Sequence, residues 1–592
     1  MVSMPSSSAR PPSPPRRKKQ APWKVSRLFS FTLFANGRWK LLLAGCTGLA
    51  LHQVSEALVP ATIGAAVDNA IEPNDAGALL GWLGALAVVF VVLALSWRFG
   101  TLATERSFNY GSHDLRQLVV ERTLHPRGMA AQRAPGEIVA IASSDADRVA
   151  GLSWLISGGL AAVAGVITSA VTLLLISVPL GLAVLLATPV MLLVMHRLTK
   201  PLENRSDVEQ STAARAGALA TDFVTGSRPL KGLGAEDAAI ARYRAESRAS
   251  LASALKAIRA KSAYTGASTA LSAAFLAGIA FFAAWFALQG SITVGQLVAV
   301  VGVAQFVQGP MTGLGFVSVE LARKRASAAR IAVLLEEPEA VPAPQAAERS
   351  TTAMGSVSTP TSPGEPAPLL QLRPGASGVS LPPFTASAGE IVGVVLPDST
   401  QARQLVDTLG FRTPAPRGLL SIDGHDAADL DPLHVRSRVF ADNHDGVLFS
   451  GSIRDNMAVS DAELTERAMA AAAVEDFVSQ LPEGTETVLT GYGQSLSGGQ
   501  RQRLVLGRSL HQQQPVLVLH DPTTAVDTAT EAVIADGLRN FPDKALILVT
   551  TSPTLLAICD RVVVAGAEGP PETGTHRELL AASAGYREAV GS

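Results

Sequence analysis

The sequence predicts a six-span α-helical membrane domain with long cytoplasmic helical extensions, fused to an α/β domain. Hydrophobic residues make up 47% of the 592 and charged residues only 17%, a balance that suits a membrane protein with a soluble appendage. Six apolar runs, each near the ~20 residues a bilayer requires, lie at about 41–65, 79–102, 153–178, 180–198, 263–288 and 295–319. From about Leu369 the chain turns to short β-branched runs alternating with helical ones, the pattern of an α/β domain.

Residues 1–22 are rich in Pro and Ser, with Arg16-Arg-Lys-Lys19 near their end, and read as a disordered basic tail. The membrane domain then occupies 23–336. Between Trp23 and Lys40, basic residues alternate with Leu28, Phe29, Phe31 and Phe34, which predicts an interfacial helix along the inner leaflet. The first apolar run is long and starts late, so no cleavable signal peptide is expected. Connections between the spans alternate in character: 68–75 is acidic and short, 177–179 is a bare turn, and 289–293 is polar and uncharged. By contrast, 103–150 and 199–262 are long and rich in Arg and Lys. The positive-inside rule therefore puts both chain ends and both long loops in the cytoplasm. Helical periodicity predicts that those loops continue the membrane helices.

His52, Gln53 and Glu56 lie inside the first span, where an ionisable residue is costly and faces a cavity or a partner. His52 and Glu56 are four apart, hence on one face. They are contacts for substrate or protons in a translocation path, or a polar helix–helix contact, or the span is shifted so that they lie near the interface. Residues 337–368 form a linker rich in Pro, Ala, Ser and Thr, and 369–592 form the α/β domain. Cys46 and Cys559 build neither a disulfide framework nor a metal set, and a net charge of −1 gives no field for nucleic acid.

Within the α/β domain, Ser495-Leu-Ser-Gly-Gly-Gln-Arg-Gln-Arg503 leads into the mostly apolar run Leu504 to Leu510. Two glycines allow a close backbone approach, and a helix starting near Gln500 points its free N–H groups and positive dipole end at whatever lies in front. With the Ser497 hydroxyl at the same mouth, the stretch either grips a terminal phosphate or simply caps an ordinary helix. Leu-Ser-Gly-Gly-Gln followed by Arg-Gln-Arg resembles the signature motif of ATP-binding cassette (ABC) transporters. In that family the signature of one nucleotide-binding domain closes over ATP held by the Walker motifs of another.

Further matches extend the resemblance over the membrane domain: Pro135-Gly-Glu-Ile138 with Ser144-Asp-Ala-Asp-Arg148, then Gly226-Ser-Arg-Pro-Leu-Lys-Gly-Leu-Gly-Ala-Glu236 with Arg242-Tyr243, then Gly290-Ser-Ile-Thr-Val-Gly-Gln-Leu297. They are similar to the exporter-type (type IV) membrane domain, which implies coupling helices at the tips of the long loops.

The chain's own nucleotide motifs depart from the family. A P-loop needs glycines and a Lys followed by Ser or Thr. After the strand Gly389-Glu-Ile-Val-Gly-Val-Val395 this chain has Leu396-Pro-Asp-Ser-Thr-Gln-Ala-Arg-Gln404. Asp398, Ser399, Thr400, Ala402 and Arg403 thus stand at a degenerate site with a negative charge where phosphates belong. At the Walker B strand, His520 replaces the family's Mg²⁺-ordering Asp, and that ion prefers oxygen ligands. Asp521 stands where the family has its catalytic Glu, and Thr551 stands at the switch-histidine position. His444 replaces a Gln before Asp445-Gly-Val-Leu-Phe-Ser-Gly-Ser-Ile453, and no aromatic near Arg373-Pro-Gly-Ala376 offers to stack on adenine. No second ligand at metal spacing supports zinc at His520.

The elements presented to a partner are kept: Ser497, Gly498, Gly499, Gln500 and the D-loop Thr524-Ala-Val-Asp527. The resemblance therefore implies the degenerate half of a heterodimeric exporter, in which a homologous half with intact Walker motifs holds most of the ATP and Mg²⁺. The cargo would be a lipid, drug or peptide. Alternatives are a siderophore importer of the same fold, a non-hydrolysing scaffold or regulatory subunit in the lipid bilayer, and an active homodimeric ATPase, which the missing P-loop disfavours. The expected location is a bacterial cytoplasmic membrane with both termini inside.

Overall fold

The computed structural model describes residues 22–131, 133–342, 368–373, 381–396, 398–442, 446–457, 462–493, 495–565 and 571–591, with part of 184–207 as backbone only. The basic tail, most of the linker, 374–376, Pro397 and His444 lie outside the described residues. The chain separates into two compact units, Met1–Glu121 with Arg133–Glu336 and Arg122–Gln132 with Glu337–Ser592.

The first unit is helical. The interfacial stretch forms the helix Val25–Phe34, which ends where Asn36 and Gly37 take positive φ of 54° and 77°. Arg38 then folds back, its side chain 3% exposed, and donates to the carbonyls of Thr32 (2.8 Å) and Phe31 (2.6 Å) while pairing with Asp114. A buried guanidinium is tolerated only with such complete partnering.

Five stretches of the described residues are long and apolar enough to cross a membrane: Trp39–Ile71, Ala76–Thr123, Pro135–Ile176, Glu236–Leu288 and Val294–Leu335. The fourth expected span, at 180–198, falls in the helix Val178–Thr225, where many side chains lie outside the described residues. Ala76–Thr123 and Glu236–Leu288 run 48 and 53 residues without a break, far beyond a bilayer's need, so the long loops do extend the spans as helix.

Small residues set how closely these helices pack. A Cβ on Gly48 would lie 2.6 Å from the Gly100 Cα, and one on Gly295 would lie 2.1 Å from the Gly64 carbonyl oxygen. Such backbone-to-backbone approach is the usual way helices associate in lipid, where no hydrophobic force drives them together. Beside Gly295, the Asp68 carboxylate accepts from its N–H (2.7 Å) and from the Thr293 hydroxyl (2.5 Å). Asp68 thereby ties the end of the first span to the start of the last.

In the second unit strands are numbered in chain order; β7 (Gly451–Ser452) and β8 (Val488–Leu489) pair with each other, and a six-stranded sheet has the order β12-β11-β3-β10-β9-β6. Its strands are β3 (Ile391–Val395), β6 (Val439–Asp442), β9 (Val516–His520), β10 (Ala545–Val549), β11 (Arg561–Val564) and β12 (Glu572–Gly574). All pairings are parallel except β11 with β12. Side chains alternate between two cores: Val392, Val394, Val518 and Ile547 enter one, and Ile391, Val395, Leu519 and Leu548 enter the other. That two-faced burial is why the strands read as continuous apolar runs. A smaller sheet has the order β2-β1-β4-β5, from β1 (Leu370–Leu372), β2 (Phe384–Ala386), β4 (Leu420–Ile422) and β5 (His425–Asp426). The segment after Arg122 joins this unit through backbone bonds from Ala130 to Pro338 (2.9 Å) and from Val341 to Arg127 (3.0 Å).

Replacing Gly295 with Ala forces the first and last spans apart and should lower stability by about 1–3 kcal/mol, the usual range for overpacking. Gly309, in the same helix with open space around it, should accept Ala with no loss. Thermal unfolding in lipid nanodiscs checks the pair, and equal effects at both positions would contradict the packing assignment.

Candidate nucleotide site

The parallel strands β3, β9, β10 and β11 all end at one edge, where a cleft of about 660 Å³ is lined by Leu396, Ser399, His520, Asp521, Thr551 and Tyr586, among others. A crevice at the carboxyl ends of parallel strands is where such sheets take ligands. The sheet thus brings the Walker A, Walker B and switch positions of the sequence reading to one place. The charge there is unfavourable for phosphate. Asp521, Glu572 and Glu588 line the cleft, and none of its described lining residues is Lys or Arg.

The Walker A position shows the local reason. The helix Ser399–Leu409 begins directly after Asp398, whose carboxylate accepts the Thr400 N–H at 2.8 Å. In a working P-loop, the free N–H groups and positive dipole end of this helix face the nucleotide phosphates. Here the chain supplies its own anion. Ser399, Thr400 and Arg403 are exposed, while Ala402 is buried beneath the helix and offers no polar atom.

At the end of β9, His520 Nε2 lies 3.7 Å from the Asp521 carboxylate. Asp521 takes a positive φ of 45°, a left-handed conformation that Asp tolerates better than most residues. Its backbone is held on both sides: the N–H donates to the Val549 carbonyl (3.0 Å), and its own carbonyl accepts from Gln502 (2.8 Å). Thr551 sits exposed on the cleft rim after β10.

The signature forms a separate construction. Its helix spans Gly498–Leu510, two residues earlier than the sequence suggests, because Ser497 is the cap. The Ser497 hydroxyl accepts the Gln500 N–H (3.2 Å), and the Gln500 side-chain oxygen accepts the Ser497 N–H (3.0 Å). This capping box leaves the Ser497 O–H proton available to donate outward, and helix geometry leaves the Gly498 and Gly499 N–H groups without intrahelical acceptors. The end of this helix is therefore neutral-capped and exposed.

Gln502, within the motif but given no role by sequence reasoning, fastens the signature to the D-loop. Its side-chain nitrogen donates to the Asp521 carbonyl and the Thr524 hydroxyl (2.9 Å), while its oxygen accepts the Ala525 N–H (2.7 Å). Gly499 is required by the same junction, since a Cβ there would meet the Ala525 carbonyl oxygen at 2.7 Å. Asp527 caps the helix Thr528–Leu538 by accepting from the Thr530 N–H (3.0 Å) and hydroxyl (2.8 Å), which holds its carboxyl below the usual range. In the first unit, His52 and Glu56 do meet, at 3.7 Å, and the Gln53 side-chain oxygen is buried without a hydrogen-bond partner among the described residues.

Two outcomes follow from this geometry. Gly499→Ala should loosen the D-loop, lowering the melting temperature and raising hydrogen exchange over 521–527, whereas Gly498→Ala, with only ordinary contact to Ala525, should leave both unchanged. At the cleft wall, Tyr586 is pushed up to about 12 by burial and shares a 2.6 Å hydrogen bond with His576, which burial depresses below its ordinary 6.5. A depressed histidine binds fewer protons folded than unfolded, so its contribution is present above pH 6.5 and lost as pH falls through the folded value. The hydrogen-exchange protection factors of the helix Ala584–Gly591, corrected for the intrinsic pH dependence of exchange, should accordingly fall as pH drops through the folded value, and His576→Gln should remove that dependence.

Comparison with known proteins places these features. Residues 42–311 match the model for the ABC transporter transmembrane region and 404–524 match the ABC transporter model, together well over half of the chain. The chain is 28% identical over 566 residues to a multidrug efflux ATP-binding/permease protein of Mycobacterium bovis, covering 92% of this chain and 46% of that protein. It thus spans about half the length of that relative. It is 27% identical over 580 residues to an ATP-dependent lipid A-core flippase of Xylella fastidiosa, covering 95% of each. The fold matches that of a bacterial Atm1-family ABC exporter with ATP bound, with a TM-score of 0.74 and 21% identity over 93% of this chain and 98% of that one. With its membrane region and its nucleotide-binding domain on one polypeptide, this multi-pass membrane protein belongs to the ABC transporters, in their exporter-type fold.

Proposed function

We propose that the chain is the catalytically degenerate half of a heterodimeric ABC exporter. It contributes its signature and half of the substrate pathway to a homologous partner that keeps intact Walker motifs. The observation that carries this reading is the opposite treatment of two helix N-termini. One is closed by the Asp398 carboxylate, and the other is capped by the neutral Ser497 hydroxyl and left open.

In this reading the membrane domain at 23–336 has six spans, the fourth at 180–198, and the domain at 369–592 follows the linker. Ser497, Gly498, Gly499 and Gln500, with Asp527 in the D-loop, face the partner's nucleotide. ATP and Mg²⁺, which the family's domain binds in general, are then held mainly by the partner. The signature's N–H groups and hydroxyl add charge stabilisation at the terminal phosphate only when the two domains close. Closure shifts the joined membrane helices between inward- and outward-facing states. Relatives named for multidrug efflux and for lipid A-core flipping support an amphipathic cargo handled in the bilayer.

A non-hydrolysing scaffold is the second reading, favoured by the capping box, which gives Ser497 and Gln500 work within their own helix. ATPase activity of the full chain, alone and co-purified with a homologous half encoded beside it, separates the two. The heterodimer reading expects no activity alone, activity with the partner, and a loss of about 10²-fold on Gly498→Glu, which sets a carboxylate against the terminal phosphate. Ser497→Ala should cost activity well beyond the ~1 kcal/mol of a lost cap. Activity with the partner that ignores both variants would establish the scaffold.

A further inference from the structure

The turn after β9 and the segment after β10 leave the sheet side by side and then part. The Asp521 N–H bonds the Val549 carbonyl at 3.0 Å, and beyond that point, among the described residues, no hydrogen bond joins 522–527 directly to 550–552. One side chain bridges them from a third element. Glu531, on the helix Thr528–Leu538, accepts the Thr523 hydroxyl at 2.5 Å and the Ser552 hydroxyl at 2.8 Å, both on its Oε1.

Neither hydroxyl has a second proton to give. Ser552 also caps the helix Pro553–Leu556, accepting the Leu555 N–H at 3.3 Å. Thr523 is 4% exposed, so its hydroxyl must find a partner inside the protein. Both groups therefore require an acceptor where the Glu531 oxygen stands, and an ionised carboxylate makes the stronger bonds. Glu531 is itself held in place: its N–H donates to the Asp527 carbonyl at 2.8 Å, and Asp527 caps the same helix through Thr530.

The bridge joins two functional segments. Thr523 opens the turn that carries the D-loop, with the Val526 N–H bonded to the Thr523 carbonyl at 2.9 Å. Ser552 directly follows Thr551, the switch position on the rim of this chain's own cleft. We propose that Glu531 is a positioning residue for ATP hydrolysis at the partner's site, setting the D-loop from the switch segment. Glu531 touches no nucleotide; it acts through Thr523 on the turn that places Asp527. The altered cleft thus keeps one task, to hold in register the loop that this chain lends. This role rests on the heterodimer reading above.

The test is partner-dependent ATPase of the full chain, co-purified with a homologous half encoded beside it, in lipid nanodiscs. Glu531→Ala should lower kcat by on the order of tenfold to a hundredfold, the scale of a positioning error of about 1 Å. The KM for Mg²⁺–ATP, which the partner's Walker motifs set, should not change. Glu531→Gln, which keeps the Oε1 acceptor, should restore most of the rate. Thr523→Val added to Glu531→Ala should be no slower than Glu531→Ala alone, because both remove the same bond. Ser552→Ala severs the other arm at the rim and should also lower kcat. Hydrogen exchange over 525–527 and 551–556 should quicken together in Glu531→Ala. A glutamate with only a structural role predicts a lower melting temperature with kcat per folded heterodimer unchanged. That result, or an unchanged kcat in Ser552→Ala, overturns the proposal, and the heterodimer reading stands if Gly498→Glu still stops the reaction. Absence of partner-dependent activity in the unsubstituted pair overturns both.

Discussion

A helix begins with N–H groups that its own hydrogen-bond ladder cannot satisfy, and what satisfies them decides what the helix can do. The nucleotide-binding domain of this chain resolves that constraint in two ways. At Ser399–Leu409 the cap is a charged one, the chain's own Asp398 carboxylate accepting the Thr400 N–H. Near Gly498 the cap is an uncharged hydroxyl that keeps its proton to give, and the two glycines keep the backbone open. The remaining acidity of the cleft, from Asp521, Glu572 and Glu588, acts in the same sense as Asp398.

The second consequence is mechanical. Gln502 makes three hydrogen bonds to the Asp521–Ala525 turn, and Asp521 is in turn bonded to β10. Signature, Walker B turn and D-loop therefore form one connected piece, although the chemistry of the Walker B position is altered. Gly499 belongs to that piece as much as to any phosphate, because the Ala525 carbonyl sits against its missing side chain. Retention of Gly499 is thus weaker support for a role in the partner's site than retention of Gly498, which meets no such obstacle.

Much of the architecture was legible because it rests on periodicity and composition: the long helices, the apolar parallel strands and the helix after Ser497. The site was legible where a motif carried it. His520, Asp521 and Thr551 do gather at one cleft because parallel strands end together. Motif matching gives Asp398 only as an unwelcome charge, although Asp before Ser-Thr is also an N-cap signal, and its carboxylate does cap the helix through the Thr400 N–H. Long-range partners were not legible. Nothing in sequence spacing tells that Arg38 is buried against Asp114, that Gln502 reaches Asp521, or that the Trp97 ring lies beside His52. The fourth expected span falls in a helix many of whose side chains lie outside the described residues, so the expectation of six rests on hydropathy and on the even number that the loop charges require.

The most direct test of the central claim, that this chain's own nucleotide position is closed by its own acid, is equilibrium dialysis of labelled ATP with Mg²⁺ against the purified full chain alone in nanodiscs. The account predicts no saturable binding up to about 1 mM, the range of a contact worth roughly 4 kcal/mol. Saturable binding of one ATP per chain at micromolar concentration would contradict it, and would mean that Asp398 yields the helix N-terminus to phosphate.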